Sequence, residues 1–217
     1  MILPSITTTE GSDWKKKIKE AEELDEVCFF LTCLERKERE EFYFLARKIK
    51  RAPFVHLRSD MGADEIELLK NNFGSKIFNI HTLREHPLEK DLSEFKKSIF
   101  IENIYFPLDE KELKEFGGIC LDFAHLENDR ILEKEKYQRN LSVIKNFPIG
   151  CCHISCVKKK PRLDHRNFLR YDSHQMGELK ELDYLRGYKD YFSGILAIEL
   201  ENSIEDQLKA IEYIRSF

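Results

Sequence analysis

An alternation, repeated eight times, between a short apolar run and a charged amphipathic stretch limits what this chain can fold into. Apolar runs at positions 2–9, 27–34, 54–59, 76–82, 98–103, 118–123, 149–156 and 194–200 have the length of strands. Their near-continuous hydrophobicity is that of strands covered on both faces. The stretches between them have helical spacing. Phe42, Leu45, Ala46 and Ile49 fall at i, i+3, i+4 and i+7, and Ile66, Leu69 and Phe73 share one face of a helix over 64–73. Further helices are expected over 12–24, 109–116 and 129–146, the last with Leu132, Tyr137, Leu141 and Ile144 turned inward. Gly117-Gly118 stops the helix over 109–116. The final helix opens on Ser203 with Asp206 three residues on, a capping-box arrangement, and turns Ile204, Leu208, Ile211 and Ile214 inward.

Strands that alternate with helices build parallel sheets. Eight such units in 217 residues predict one domain over 1–217, α/β in class, folded as a compact (β/α)8 TIM barrel. An open doubly wound sheet is the structural alternative, but no Gly-x-Gly-x-x-Gly follows any of the runs. The one long irregular insert spans 157–171, after the seventh strand, and loops of that length inside compact domains are usually functional.

An apolar fraction of 41% with sixteen Phe supplies a core for a domain of this size. No run reaches the roughly 18 apolar residues of a membrane span. The first residues, Met-Ile-Leu-Pro-Ser-Ile-Thr-Thr-Thr, lack the basic start and long apolar region of a signal peptide. The expectation is a soluble, cytoplasmic chain without a membrane partner, its oligomeric state open. Cysteines at 28, 33, 120, 151, 152 and 156 fall largely within apolar runs, as buried reduced thiols do. Cys151-Cys-His-Ile-Ser-Cys156 lacks the second ligand pair of a structural zinc site. A net charge of −4 gives no global attraction to nucleic acid and leaves only a local patch.

Chemistry concentrates at the C-terminal ends of the predicted strands, where (β/α)8 barrels place their functional side chains. The third strand carries His56 and the fourth ends at His81. Glu102 lies in the fifth, Asp122 ends the sixth and His125 follows it. His153 lies in the seventh, whose long loop ends in Asp172-Ser-His174, and Glu199 and Glu201 close the eighth. Each of these alone reads as a hydrogen-bonded strand-end residue or an exposed charge. Together they place a ligand type at the end of every strand from the third to the eighth. Ionised carboxylates inside apolar surroundings are costly unless paired or metal-bound. Imidazole with carboxylate suits zinc, manganese or iron better than calcium.

With these residues assembled, the chain resembles the xylose-isomerase-like barrel superfamily, which includes sugar isomerases and epimerases and the endonuclease IV type of abasic-site endonuclease. The matching pieces, from about Phe54 onward, are Ile-Glu102-Asn, Leu-Asp122-Phe-Ala-His125, Cys-His153-Ile-Ser, Asp172-Ser-His174-Gln-Met-Gly177 and Ala-Ile-Glu199. The epimerase branch implies one divalent metal, Mn2+ or Zn2+, held by Glu102, Asp122, His153 and Glu199. There Glu102 and Glu199 would be catalytic, passing a proton through a metal-stabilised enediolate of a small sugar or sugar phosphate. The endonuclease branch implies up to three Zn2+, with His56, His81, His125, Asp172 and His174 as additional ligands and a phosphodiester as substrate. A non-catalytic barrel stabilised by its metal is the third possibility.

The chain's acidity and its lack of basic, aromatic-interleaved early loops favour the isomerase branch over a nucleic-acid partner. The exception is Lys158-Lys-Lys-Pro-Arg162…Arg166…Arg170 in the long loop. It reads as a solvated face or, through Lys158, Arg162 and Arg166, as a cover for a phosphate. His165 in the same loop is a substitute for His174 as ligand.

Overall fold

The apolar runs form strands so short that each contributes only one to three inward side chains. A computed structural model describes residues 1–164 and 166–217, and His165 lies outside the described residues. Nine parallel strands form one sheet: β1 (Ile2–Leu3), β2 (Ser5–Thr7), β3 (Cys28–Phe30), β4 (Phe54–His56), β5 (Ile77–His81), β6 (Ile99–Glu102), β7 (Ile119–Asp122), β8 (Ile149–Ile154) and β11 (Leu196–Ile198). The order across the sheet is β1-β11-β8-β7-β6-β5-β4-β3-β2. Helices α1 (Trp14–Ala21), α2 (Arg36–Leu45), α3 (Ala63–Phe73), α4 (Glu110–Glu115), α5 (Phe123–Leu132), α6 (Lys134–Ile144) and α7 (Ile204–Arg215) lie between and after the strands, with a 3-10 helix over Ser93–Ser98 after β5 in place of an α-helix. Among the described residues, no helix is long and apolar enough to cross a membrane.

Nine strands replace the expected eight because Pro4 divides the first run. Proline brings no N–H to a ladder, so Ile2–Leu3 pairs with β11 while Ser5–Thr7 pairs with β3. The two ends of the sheet are therefore neighbouring pieces of one segment, and the sheet is nearly closed and barrel-like. Side chains bridge the remaining seam. Ser5 Oγ donates to the Ile198 carbonyl, and Thr7 Oγ1 and Lys17 Nζ donate to the Leu200 carbonyl at 3.1 and 2.6 Å.

Strand alternation sorts side chains into two apolar clusters. Leu3, Cys28, Phe30, Phe54, Cys120 and Cys151 are among those that meet inside the sheet, with Phe100 packed against them. Phe29, Val55, Phe78, Ile101, Leu121 and Cys152 point the other way, into the larger core beneath the helices. Gly150 is required here, because a Cβ at that position would collide with the Phe100 ring. The thiols follow the same sorting. Cys151 and Cys152 face opposite sides, so the Cys151–Cys156 stretch gathers no ligand set. All six cysteines are free, and Cys33 is exposed where a buried thiol was expected.

Three expectations need correction. The helix expected over 129–146 is two helices, and the first begins at Phe123, immediately after β7, because the Asp122 carboxylate caps it by accepting from the His125 N–H at 2.7 Å. The chain breaks at Glu133 (φ −135°, ψ 66°), which leaves Leu132 39% exposed. Leu208, expected inside, is 37% exposed on α7. The insert over 157–171 is not irregular: β9 (Cys156–Leu163) and β10 (Leu169–Ser173) form an antiparallel hairpin. Asp164 fixes its turn by accepting from the N–H groups of Arg166 and Phe168 at 2.8 and 2.9 Å. A 3-10 helix over Leu179–Tyr191 then leads to β11.

Candidate metal centre

The polar strand ends are aimed inward by the same alternation that fills the interior. On β4, Phe54 faces inside, so His56 two residues on does too; Phe100 sets the direction of Glu102, Cys120 that of Asp122, and Cys151 that of His153. Ala197 likewise directs Glu199, just past β11. Register completes the convergence, since His81 stands beside Glu102 and Asp122 beside His153 on paired strands.

Ligand atoms of Glu102, Asp122, His153 and Glu199 lie within 4.8 Å of one another, and a second, overlapping group joins His56, Glu102 and His153. All five side chains are buried. His56 is oriented by its neighbour's backbone: the Leu57 carbonyl accepts from Nδ1 at 3.0 Å and turns Nε2 to Glu102 Oε2, 2.9 Å away. Asn79 donates to the same oxygen at 2.7 Å. Asn103 holds the end of β7, accepting from the Asp122 N–H at 2.9 Å and donating to the Asp122 carbonyl at 3.0 Å.

What the four-residue group lacks is partners. Asp122 Oδ2, both ring nitrogens of His153 and Glu199 Oε2 are buried without a hydrogen bond among the described residues. His153 Nδ1 lies 3.2 Å from Glu102 and 3.4 Å from Glu199, near both carboxylates and aligned with neither. Orphaned buried polar atoms each cost about 1–3 kcal/mol, and one donor atom from each of the four residues, all within 4.8 Å of one another, fits a divalent cation with mixed nitrogen and oxygen ligands. Electrostatics agree. Burial pushes the Glu102 carboxyl up, but His153 and His56 more than offset this and hold it well below the usual range. Glu199 is pulled down to about 2 by His174 and His153 against the cost of burial. Asp122 has no such neighbour at bonding distance, and burial raises it to about 6.

The rest of the ring is built differently. His125 and Asp172 are joined by a side chain of the chain itself, Arg170, which donates from Nε to Asp172 Oδ1 at 2.7 Å and from Nη2 to His125 Nδ1 at 2.8 Å. Burial disfavours the charged imidazole of His125, Asp122 and Asp172 favour it, and the balance draws its pKa up. A guanidinium only donates, however, and its 2.8 Å contact is closer than the 3.3 Å to Asp172, so it fixes Nδ1 as acceptor with the proton on Nε2. His174 stands at the rim, its Nε2 3.6 Å from Glu199 Oε1. His81 packs on His56 with ring centroids 4.7 Å apart and lies outside both ligand groups, its pKa lowered by burial to about 3. The Glu201 carboxylate is turned against Gly11, away from the cluster.

Of the three residues expected at a phosphate, two are ion-paired and one is exposed. Lys158 donates to Glu181 at 2.7 Å, Arg166 to Glu85 at 3.0 Å, and Arg162 is exposed on β9. Sequence reasoning missed Asn79, although it sits two residues before His81 on the inward face of β5. It also left Arg170 among the surface charges of the basic loop. Its spacing of two from Asp172 was the available signal, since alternate residues of a strand share a face. No protein-family model matches this chain, and no curated protein matches it in sequence.

Proposed function

We propose that the chain is a compact (β/α)8 barrel of the xylose-isomerase-like kind and an isomerase or epimerase of a small sugar that uses one divalent metal, Mn2+ or Zn2+. The observation that carries this reading is the convergent set Glu102, Asp122, His153 and Glu199, the last three with buried atoms that have no hydrogen bond among the described residues, beside a neighbouring sector already neutralised by Arg170. Those four residues would hold the ion. When bound, it supplies positive charge where a carbonyl and the adjacent hydroxyl of a sugar gain negative charge as a carbon-bound proton leaves.

The protein's own groups then divide the work. Glu102 on β6 and Glu199 past β11 are both held ionised, so each can accept a proton, and they approach His153 on β8 from opposite directions, Glu199 from the adjacent strand and Glu102 from beyond β7. His56 and Asn79 fix the orientation of Glu102, and Asn103 fixes the strand end that presents Asp122. Burial of the cluster excludes water from an intermediate that would otherwise be protonated at random.

A second reading, a multi-zinc phosphodiesterase, draws on the overlapping His56, Glu102, His153 group, which offers a further ion a place. Metal analysis of the purified protein separates the two. The isomerase reading expects one tightly bound ion per chain and exchange of a carbon-bound hydrogen of a sugar with solvent. Two or three zinc ions with cleavage of an abasic duplex would replace it by the second.

A further inference from the structure

We infer that the substrate is an unphosphorylated polyol-type sugar, an inference that rests on the isomerase reading above and narrows it to one substrate class. Barrels of this architecture commonly bind phosphate with the loops after the seventh and eighth strands and a nearby helix N-terminus. In this chain the corresponding donors are already taken by its own carboxylates. After β11, the Ile204 N–H that opens α7 donates to Glu20 Oε2 at 2.9 Å, and Ser203 Oγ accepts from the Asp206 N–H at 3.2 Å. After β8 and its hairpin, the Gly177 N–H donates to Glu181 Oε2 at 2.9 Å, and the same oxygen takes Lys158 Nζ at 2.7 Å. An acid thus sits where a phosphate would be gripped, at both positions.

The cations around the rim are committed in the same way. Arg58 is bound to Glu35 at 2.6 Å and lies 3.4 Å from Asp60, Arg166 is bound to Glu85, and Arg170 to Asp172. Beside the centre, at the ends of β3 to β5, a cavity of about 450 Å³ is lined by Thr32, Arg58, Ser59, His81, His86 and Glu89. Its hydroxyls and imidazoles suit a hydroxyl-bearing ligand. Its charges do not suit a dianion, because Arg58 is already neutralised and Glu89 is acidic. Recruiting a phosphate would mean breaking a carboxylate pair first, and a neutral polyol requires no such exchange.

The test is solvent exchange of carbon-bound hydrogen, followed by proton NMR in D2O with the manganese-loaded full chain, over ketoses and aldoses of three to six carbons, each paired with its phosphate ester. The expected result is that the best unphosphorylated sugar exceeds its ester by at least about tenfold in kcat/KM, the discrimination of one unmatched polar contact or more. Preference for the esters overturns the inference and leaves the isomerase reading standing. Exchange with neither set overturns the isomerase reading, and this inference with it. A second measurement needs no turnover. Glu181→Ala frees Lys158 and the Gly177 N–H together, so it should tighten binding of inorganic phosphate by about tenfold. Wild-type protein that binds inorganic phosphate as tightly as the variant would overturn the blocked-site argument.

Discussion

Two sectors of one ring of polar side chains solve the same electrostatic problem in different ways. Around His125 and Asp172 the chain supplies its own cation, and the Arg170 guanidinium gives both partners a hydrogen bond. Around Glu102, Asp122, His153 and Glu199 no lysine or arginine enters, and four buried atoms stay unpartnered. Orphaned buried polar atoms cost about 1–3 kcal/mol each, so this is the sector of the ring that a bound cation would relieve most. The difference teaches that ligand chemistry alone does not locate a metal. His125 and Asp172 are as suitable in kind as the other four, and what distinguishes them is the Arg170 guanidinium bonded to both.

The largest effect expected from breaking the comparison is at His153, which stands between two carboxylates. His153→Ala should lower affinity for Mn2+ or Zn2+ by more than about 100-fold, since even partners outside the ligand shell are worth 10- to 100-fold. Calorimetric titration of the metal-stripped protein reads this directly, and unchanged affinity would remove the seventh-strand residue from the centre. Next comes Arg170. Arg170→Ala should destabilise the metal-free protein by about 3–5 kcal/mol and convert the satisfied sector into a second cation site. Zinc stoichiometry then rises from one toward two per chain, and zinc recovers most of the lost stability. If the variant still binds a single ion, Arg170 is only a hairpin anchor and not a substitute for a metal.

Much of this arrangement was legible beforehand because two periodicities govern it. A period of two along the strands set which residues face inward, and eight runs separated by helical stretches set the parallel sheet. The illegible parts depended on contacts that no period encodes. Pro4 splits a strand only because its ladder partners differ on its two sides. The helix start at Phe123 follows from Asp122 acting at once as strand end and N-cap. A candidate ligand was recognised there, and the second role of the same carboxylate was not. Arg170 was read with its basic neighbours as a solvated charge, because burial of a hairpin residue depends on the helix beneath it. Tyr171, for example, is held by its N–H donating to Asn128 of α5 at 2.8 Å.

Asp122 gives a smaller effect with a defined pH signature. Burial raises its carboxyl from 3.8 to about 6 in the folded chain. The folded state therefore binds that proton more tightly, and the resulting stability is complete below about pH 4 and lost as pH rises to about 6. Above that, the metal-free protein carries a cost of up to about 3 kcal/mol, two pKa units at 1.36 kcal/mol each. Asp122→Asn keeps a side-chain oxygen to cap the His125 N–H and carries no charge. Urea unfolding of the two metal-free proteins should show them equal near pH 4 and the variant more stable above pH 6, while only the wild type gains stability from added Mn2+. A stability gap independent of pH would assign the titration to another group.

The smallest effect sharpens the contrast within the hairpin itself. Arg162 and Arg170 are register partners on β9 and β10, yet Arg170 is buried and Arg162 is exposed. Exposed substitutions away from special features change stability by about 0.5 kcal/mol or less, so Arg162→Ala should leave unfolding, metal stoichiometry and metal affinity within error of wild type. Arg166 falls between the two, because its partner Glu85 is buried while Arg166 itself is partly solvated. Burial already raises the Glu85 carboxyl, and Arg166 opposes that rise. Arg166→Ala therefore lets Glu85 take up a proton rather than remain a bare buried charge, and the loss is limited to about 1 kcal/mol. The order Arg170, Arg166, Arg162 in unfolding free energy follows depth of burial and not proximity in sequence, and a reversed order would mean that the basic run acts as one surface after all.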